Sequence, residues 1–277
     1  MSDNDSPLER HVILGTHVNS LDYEAAVVRV LAWAHEGESR YVCAANVHMV
    51  MEGWDSAGFS DVVNAADLVL PDGVPIVVAL RCLGIRSASR VYGPEFALRV
   101  SRIASREGVP VGLYGGTPTT LNRVQVFLED KFPDIRIVCK IAPPFRSLTK
   151  EEDEAYARQI KDSGARILFV GIGCPRQEKW MHAHRERIPT VMIGVGAAFD
   201  FFAGTVRQAP RWLSAIGLEW LFRLAMEPRR LWKRYVKHNP RFVLLTIRQM
   251  INRQKPLLPN RSARMSTLDG KPHRDPQ

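Results

Sequence analysis

The sequence predicts an α/β fold: a mostly parallel sheet with helices on both faces, followed by a basic, helical C-terminal appendage. Three observations carry that expectation. Over about the first 200 residues, short β-rich runs ending at Gly, Asn or Pro alternate with longer amphipathic stretches, as repeated βαβ units do. The strand-like runs are continuously apolar, the pattern of strands buried on both faces. Beyond Gly204 no strand signal remains and the charge balance changes. Residues 207–277 carry 16 Lys/Arg against 4 Asp/Glu, whereas residues 1–206 carry 22 against 25.

The elements follow in order. "HVILGTHVN" (11–19) reads as a first strand and 21–35 as an amphipathic helix. "RYVCAAN" (40–46) leads to a helix over 48–66, and "DLVLP" (67–71) to helices over 74–83 and 94–106. "VPVGLYGG" (109–116), "IRIVCK" (135–140) and "RILFVGIG" (166–173) precede helices over 119–131, 149–163 and 175–187, and "TVMIGVG" (190–196) closes the series. Residues 1–206 are therefore expected to form the core. Residues 207–255 read as an appendage of helices broken near Pro228 and Pro240, with Pro210, Pro228 and Pro240 each placed where a helix begins. Its segment 212–224 is expected to dock on the core, leaving 229–248 for lipid. Residues 256–277, polar and Pro-rich, read as disordered.

Composition narrows the function classes. At 45% hydrophobic and 24% charged residues the chain has an ordinary soluble composition. Its longest apolar runs fall short of the roughly 20 residues a spanning helix needs, and "MSDNDSPLERH" lacks the pattern of a signal peptide. Cys43, Cys82, Cys139 and Cys174 lie far apart in or beside apolar stretches, without metal-ligand spacing, and read as buried thiols of a cytoplasmic protein. The basic end expects phosphates, whether on nucleic acid, an anionic membrane or a diphosphate substrate.

In parallel sheets, ligands bind beyond the carboxyl ends of the strands, where helix N-termini offer free N–H groups. That rule selects the loops 45–48, 71–73, 115–118, 171–178 and 194–200. "LYGGTP" and "VGIGCPRQEKW" share one design: a strand, glycines that admit a ligand to the backbone, then Pro near the first helical turn. Gly115, Gly116, Thr117, Gly171, Gly173 and Arg176 thus become candidates for holding a nucleotide diphosphate, although neither GxGxxG nor GxxxxGK[ST] occurs. Gln177 and Glu178 either cap the following helix or hydrogen-bond a ribose or base. Asp72, in "LPDG", is by local sequence a turn residue, a helix cap or a reacting group. His48, His182 and His184 show no partnered ligand spacing and read as core or surface histidines, so no metal is expected. Asp200 lies in an apolar setting, where it caps, anchors the basic end or meets substrate.

"AAN" with "PDG" downstream, "RVYGPEF", "LYGGTP", "FVGIGCPRQEKWM", "GVGAAFDFFAG" and "RQAPRWLSAIGLEWLFRLAMEPRRLWKRY" together resemble the WecG/TagA/CpsF family of bacterial glycosyltransferases. The resemblance runs from Val12 to Tyr235. It implies a Rossmann-like core and a membrane-targeting appendage, placing the protein on the inner face of the cell membrane. It also implies metal-independent, inverting transfer from a UDP-sugar to a polyprenyl-diphosphate-linked sugar, with no cofactor. The family's general base corresponds to Asp72, its site Asn to Asn46 and the Arg of its RxxG segment to Arg90. Where the family often has Thr, this chain has Ala44. Arg223, Arg229, Arg230 and Arg234 fall in the segment the family uses over its site, and are candidates for gripping a diphosphate or the membrane. A homo-oligomer is compatible with this reading.

Two other classes compete. A nicotinamide-dependent oxidoreductase suits the glycine loops but lacks the fingerprint and its downstream acid. A nucleic-acid-binding protein suits the basic end, but the leucines and aromatics there fit burial or a lipid interface better than a phosphate groove. No nucleic-acid partner is therefore expected.

Overall fold

The structure, a computed structural model, describes residues 8–215 and 217–252; the 256–277 segment lies outside them. The chain begins with β1 (Arg10–Ile13) and β2 (Thr16–Asn19), an antiparallel hairpin rather than the single strand expected over 11–19. Leu14 and Gly15 both adopt left-handed backbone, at φ 47° and 83°, which closes a two-residue turn. The hairpin docks beside the main sheet, where Asn19 Oδ1 accepts the Val69 N–H at 2.8 Å.

The main sheet contains β3 (Arg40–Ala45), β4 (Leu68–Pro71), β5 (Val111–Gly115), β6 (Ile137–Ile141), β7 (Ile167–Gly171) and β8 (Val191–Gly194). All its pairings are parallel, in the order β4-β3-β8-β7-β5-β6. Along each strand, successive side chains enter opposite cores. Val42, Leu70, Leu113, Phe169 and Ile193 face a core closed by α1 (Tyr23–Glu36), α5 (Gly93–Glu107), α6 (Pro118–Lys131) and α9 (Ala198–Phe202). Tyr41, Cys43, Val69, Leu168 and Met192 face the other. That one is closed by α2 (Val47–Asp55), α3 (Ala57–Asn64), α4 (Val74–Cys82), α7 (Lys150–Asp162) and α8 (Arg176–His184). Burial on both faces explains the unbroken apolar strand runs; each fully buried large side chain contributes roughly 1.5–3 kcal/mol.

Three expectations need correction. The helix over 48–66 is two helices, because Ser56 ends α2 and caps α3, its Oγ accepting the Phe59 N–H at 3.3 Å. Cys82 is exposed at the end of α4. After α10 (Arg211–Ala215) and α11 (Glu219–Met226), the last helix among the described residues, α12 (Pro228–Ile251), runs through Pro240 without a break. Proline removes one helical hydrogen bond, but a buried stripe continues across it: Leu231, His238, Phe242 and Thr246. Beyond the stripe, Gln249 joins α12 to the hairpin, accepting from the Leu14 N–H at 3.0 Å and donating to the Val12 carbonyl at 2.8 Å. The 212–224 segment meets the core as well, through Ser214 and Glu219, which Arg90 engages, although α11 has no buried residue. No helix among the described residues is long and apolar enough to cross a membrane.

Candidate active site

From β5 the chain passes through α6 to β6 on one side; from β7 it passes through α8 to β8 on the other. The connections diverge between β5 and β7, and a crevice opens at such a point beyond the carboxyl ends. Both glycine loops begin there. Gly115 pairs with Gly171, and a Cβ on Gly115 would lie 2.5 Å from the Gly171 carbonyl oxygen, so no larger residue fits. The crevice widens into a cavity of about 1010 Å³, lined from all five loops selected above. Gly116, Thr117, Gly171, Gly173, Arg176 and Gln177 line it, whereas Gly115 and Glu178 lie behind.

Asp72 lines the cavity beside the carboxyl end of β4. It is not the cap of α4: that position is Gly73, with no side-chain cap. Its carboxylate instead accepts the Gly93 N–H at 2.8 Å and a hydrogen bond from the Asn46 side chain. Asn46 does two things, since its Oδ1 also caps α2 by accepting the Met49 N–H at 3.2 Å. Burial pushes the Asp72 carboxyl up to about 6, against the opposing pull of Arg90, the Gly93 N–H and Asn46. A helix N-terminus would have lowered it; desolvation wins, and the group becomes a stronger base than an ordinary carboxylate. Ala44, also in the lining, leaves an apolar surface near Gly93, where a threonine would offer a hydroxyl.

Arg90 does not line the cavity. Its Nε donates to the Asp72 carbonyl at 2.5 Å, and its terminal nitrogens to the Ser214 carbonyl at 3.2 Å and Glu219 at 2.6 Å. The guanidinium also stacks 4.4 Å from the Tyr92 ring centroid. Arg90 therefore fastens the Asp72 loop to the C-terminal helices. Glu219 and Tyr92 were not singled out by sequence, because the pairing spans distant segments.

The C-terminal helices close the cavity with cations. Arg223, Arg230 and Arg234 line it; Arg229 is exposed elsewhere. Arg230 pairs with Glu227 at 2.6 Å. The Nε atoms of Arg223 and Arg234 are buried without a hydrogen-bond partner. Buried donors left unsatisfied are costly, and both side chains bring positive charge to the cavity wall. Asp200 joins the same wall, its carboxyl raised by burial and opposed by Arg230.

The far end is formed by residues 143–150 and Trp180, which sequence reasoning passed over. The signal was present: "PPFRSL" follows β6 at the same end of the sheet. Trp180 stacks between Tyr114 and His184, at 4.2 and 4.0 Å, and donates to Asp153 at 3.2 Å. Gln177 accepts the Gly196 N–H at 3.2 Å and donates to Glu178 at 2.7 Å, binding the β7 and β8 loops together. Glu178 is fully buried beneath the loop, which raises its carboxyl, and it does not reach the cavity. Among the described residues, His48, Glu52 and His238 form a group able to hold a metal ion, a constellation that brings together α2 and α12. His182 instead faces the Tyr41 hydroxyl at 3.1 Å.

A parallel α/β sheet whose carboxyl-end cavity combines a desolvated carboxylate with arginine side chains suits group transfer on an anionic substrate. Comparison with known families makes this specific. The model of the glycosyl transferase WecG/TagA/CpsF family matches residues 11–256, and the chain belongs to that family. It is a glycosyltransferase, the first of the three classes weighed from the sequence. A Bacillus subtilis (strain 168) relative, N-acetylglucosaminyldiphosphoundecaprenol N-acetyl-beta-D-mannosaminyltransferase, is 29% identical over 197 residues, covering 71% of this chain and 74% of the relative.

Proposed function

We propose that the protein transfers an N-acetylhexosamine from a UDP-sugar to a hydroxyl of a polyprenyl-diphosphate-linked sugar, with inversion at the anomeric carbon. The observation that carries this reading is the opening of Asp72 and Arg223, Arg230 and Arg234 onto one cavity. Asp72 takes the proton of the acceptor hydroxyl as its oxygen bonds to the anomeric carbon. The bond to the UDP oxygen breaks, and the arginines with the 115–117 and 171–173 loops take up the departing charge. Asn46 orients Asp72, and Arg90 positions it through its carbonyl. The relative's name specifies a β-linked product; from an α-linked nucleotide sugar, that outcome requires attack from the opposite face. The division into a core over 1–206 and an appendage over 207–255 is part of the same proposal.

The assay is direct. With a panel of UDP-sugars and a short-chain prenyl-diphosphate N-acetylglucosamine acceptor, one donor should yield a disaccharide of inverted anomeric configuration and stoichiometric UDP. Added Mg²⁺ or Mn²⁺ should change turnover less than about twofold, since arginines meet the leaving-group charge. Retained configuration, or transfer that starts only with added Mg²⁺, contradicts this assignment.

Membrane attachment belongs to the proposal. Opposite its buried stripe, α12 exposes Trp232, Val236, Val243 and Ile247, and α11 exposes Trp220, Leu221 and Met226. Arg229, Lys233 and Lys237 flank these side chains. An apolar face rimmed with cations suits the interface of an anionic membrane, where each basic residue contributes about 1 kcal/mol. The full chain should sediment with anionic vesicles at low salt and be released as salt rises. Trp232→Glu with Val236→Glu should abolish sedimentation while UDP binding persists. Unchanged sedimentation of that double variant would place the attachment surface elsewhere.

A further inference from the structure

Beside the cavity, three side chains unconnected in sequence meet. His48 and Glu52 lie one turn apart on α2, His238 lies on α12, and their donor atoms fall within 4.8 Å of one another. Glu52 Oε1 is 3.4 Å from His238 Nε2 and 3.9 Å from His48 Nδ1. These separations are long for hydrogen bonds. They approach the roughly 3.3 Å edge of a tetrahedron whose metal–ligand bonds are about 2.0–2.1 Å. His48 Nδ1 is buried without a partner, and His238, only 3% exposed, has its own Nδ1 unpartnered. The other His48 nitrogen is left to donate to the Cys174 carbonyl. A histidine with one nitrogen held by a backbone carbonyl and the other free is the arrangement metal-ligating histidines use.

We propose that His48, Glu52 and His238 bind one divalent cation of the Zn²⁺ class, which links α2 to α12 at the edge of the cavity. Two imidazoles and one carboxylate suit Zn²⁺, whereas Mg²⁺ and Ca²⁺ favour all-oxygen sets. Three protein ligands leave a fourth position for water. Asp55 engages Lys237 and Arg241 at 3.4 and 2.6 Å, partly offsetting the nearby positive charge. The ion takes no part in sugar transfer. α2 begins next to Asn46 and α12 carries Arg230 and Arg234, so the link would hold these groups in register. The proposal stands independently of the sugar-transfer assignment.

The test uses the full chain, stripped by chelator and titrated with Co²⁺ as a spectroscopic probe. One equivalent should give the visible absorption of a tetrahedral site, which Zn²⁺ then displaces. Glu52→Gln, which keeps size and helix, and His238→Ala should each weaken binding at least about tenfold, with circular dichroism confirming the fold. His35→Ala, at an exposed position, should leave it unchanged. Absence of a stoichiometric tetrahedral spectrum, or wild-type affinity in both Glu52→Gln and His238→Ala, overturns the proposal.

Discussion

Asp72→Asn should lower turnover by about 100- to 10,000-fold, the range for loss of a general base, with UDP affinity changed by no more than a few-fold. The loss falls on turnover because a base acts mainly as the acceptor proton departs, while the nucleotide is held by the glycine loops and arginines. The amide keeps the shape and still accepts the Gly93 N–H, which the carboxylate accepts at 2.8 Å. A folding defect is therefore not the expected cause. Single-turnover rates beside isothermal titration with UDP separate the two quantities. A variant that turns over within threefold of wild type would falsify the base assignment and leave Asp72 a structural residue of its loop.

Arg223→Ala and Arg234→Ala should each lower kcat/KM by about 10- to 100-fold, since a hydrogen bond to a charged group contributes roughly 1.5–3 kcal/mol. Their stability effect should have the opposite character. Each arginine buries an Nε with no partner in the free protein, so truncation removes an unsatisfied donor. The melting temperature should hold or rise. Loss of activity without loss of stability marks a group kept for its ligand instead of for the fold. Lysine at either position, retaining charge but not the planar fork, should recover part of the activity. A large drop in melting temperature with unchanged kcat/KM would make these arginines structural.

Much of this site was legible because its signals are local. "LYGGTP" and "FVGIGCPRQ" each declare a strand end, a close backbone approach and a helix start within a few residues. Parallel topology then brings Gly115 against Gly171. Asp72 was legible as a base only through the family resemblance, since local sequence left it a turn residue, a cap or a reacting group, and its raised pKa depends on burial by segments far away in sequence. Arg90 shows the converse: a motif position whose guanidinium turns out to be occupied by Asp72, Ser214 and Glu219. The hairpin was missed because Leu14 adopts a left-handed conformation that leucine seldom takes. Pro240 misled for a similar reason, since the packing of Leu231 and Phe242 on either side outweighs the local cost of proline. His48, Glu52 and His238 could not be joined from spacing, since α12 reaches α2 only in the folded chain.

The dependence of kcat/KM on pH, for wild type and Asp72→Asn, tests the central claim most directly. The base works deprotonated, so with its carboxyl raised to about 6, wild-type kcat/KM should rise tenfold per unit below that value and level off above it. The residual activity of the asparagine variant should show no such limb. A wild-type profile flat from about pH 5 to pH 8, or the same limb persisting in Asp72→Asn, would contradict it.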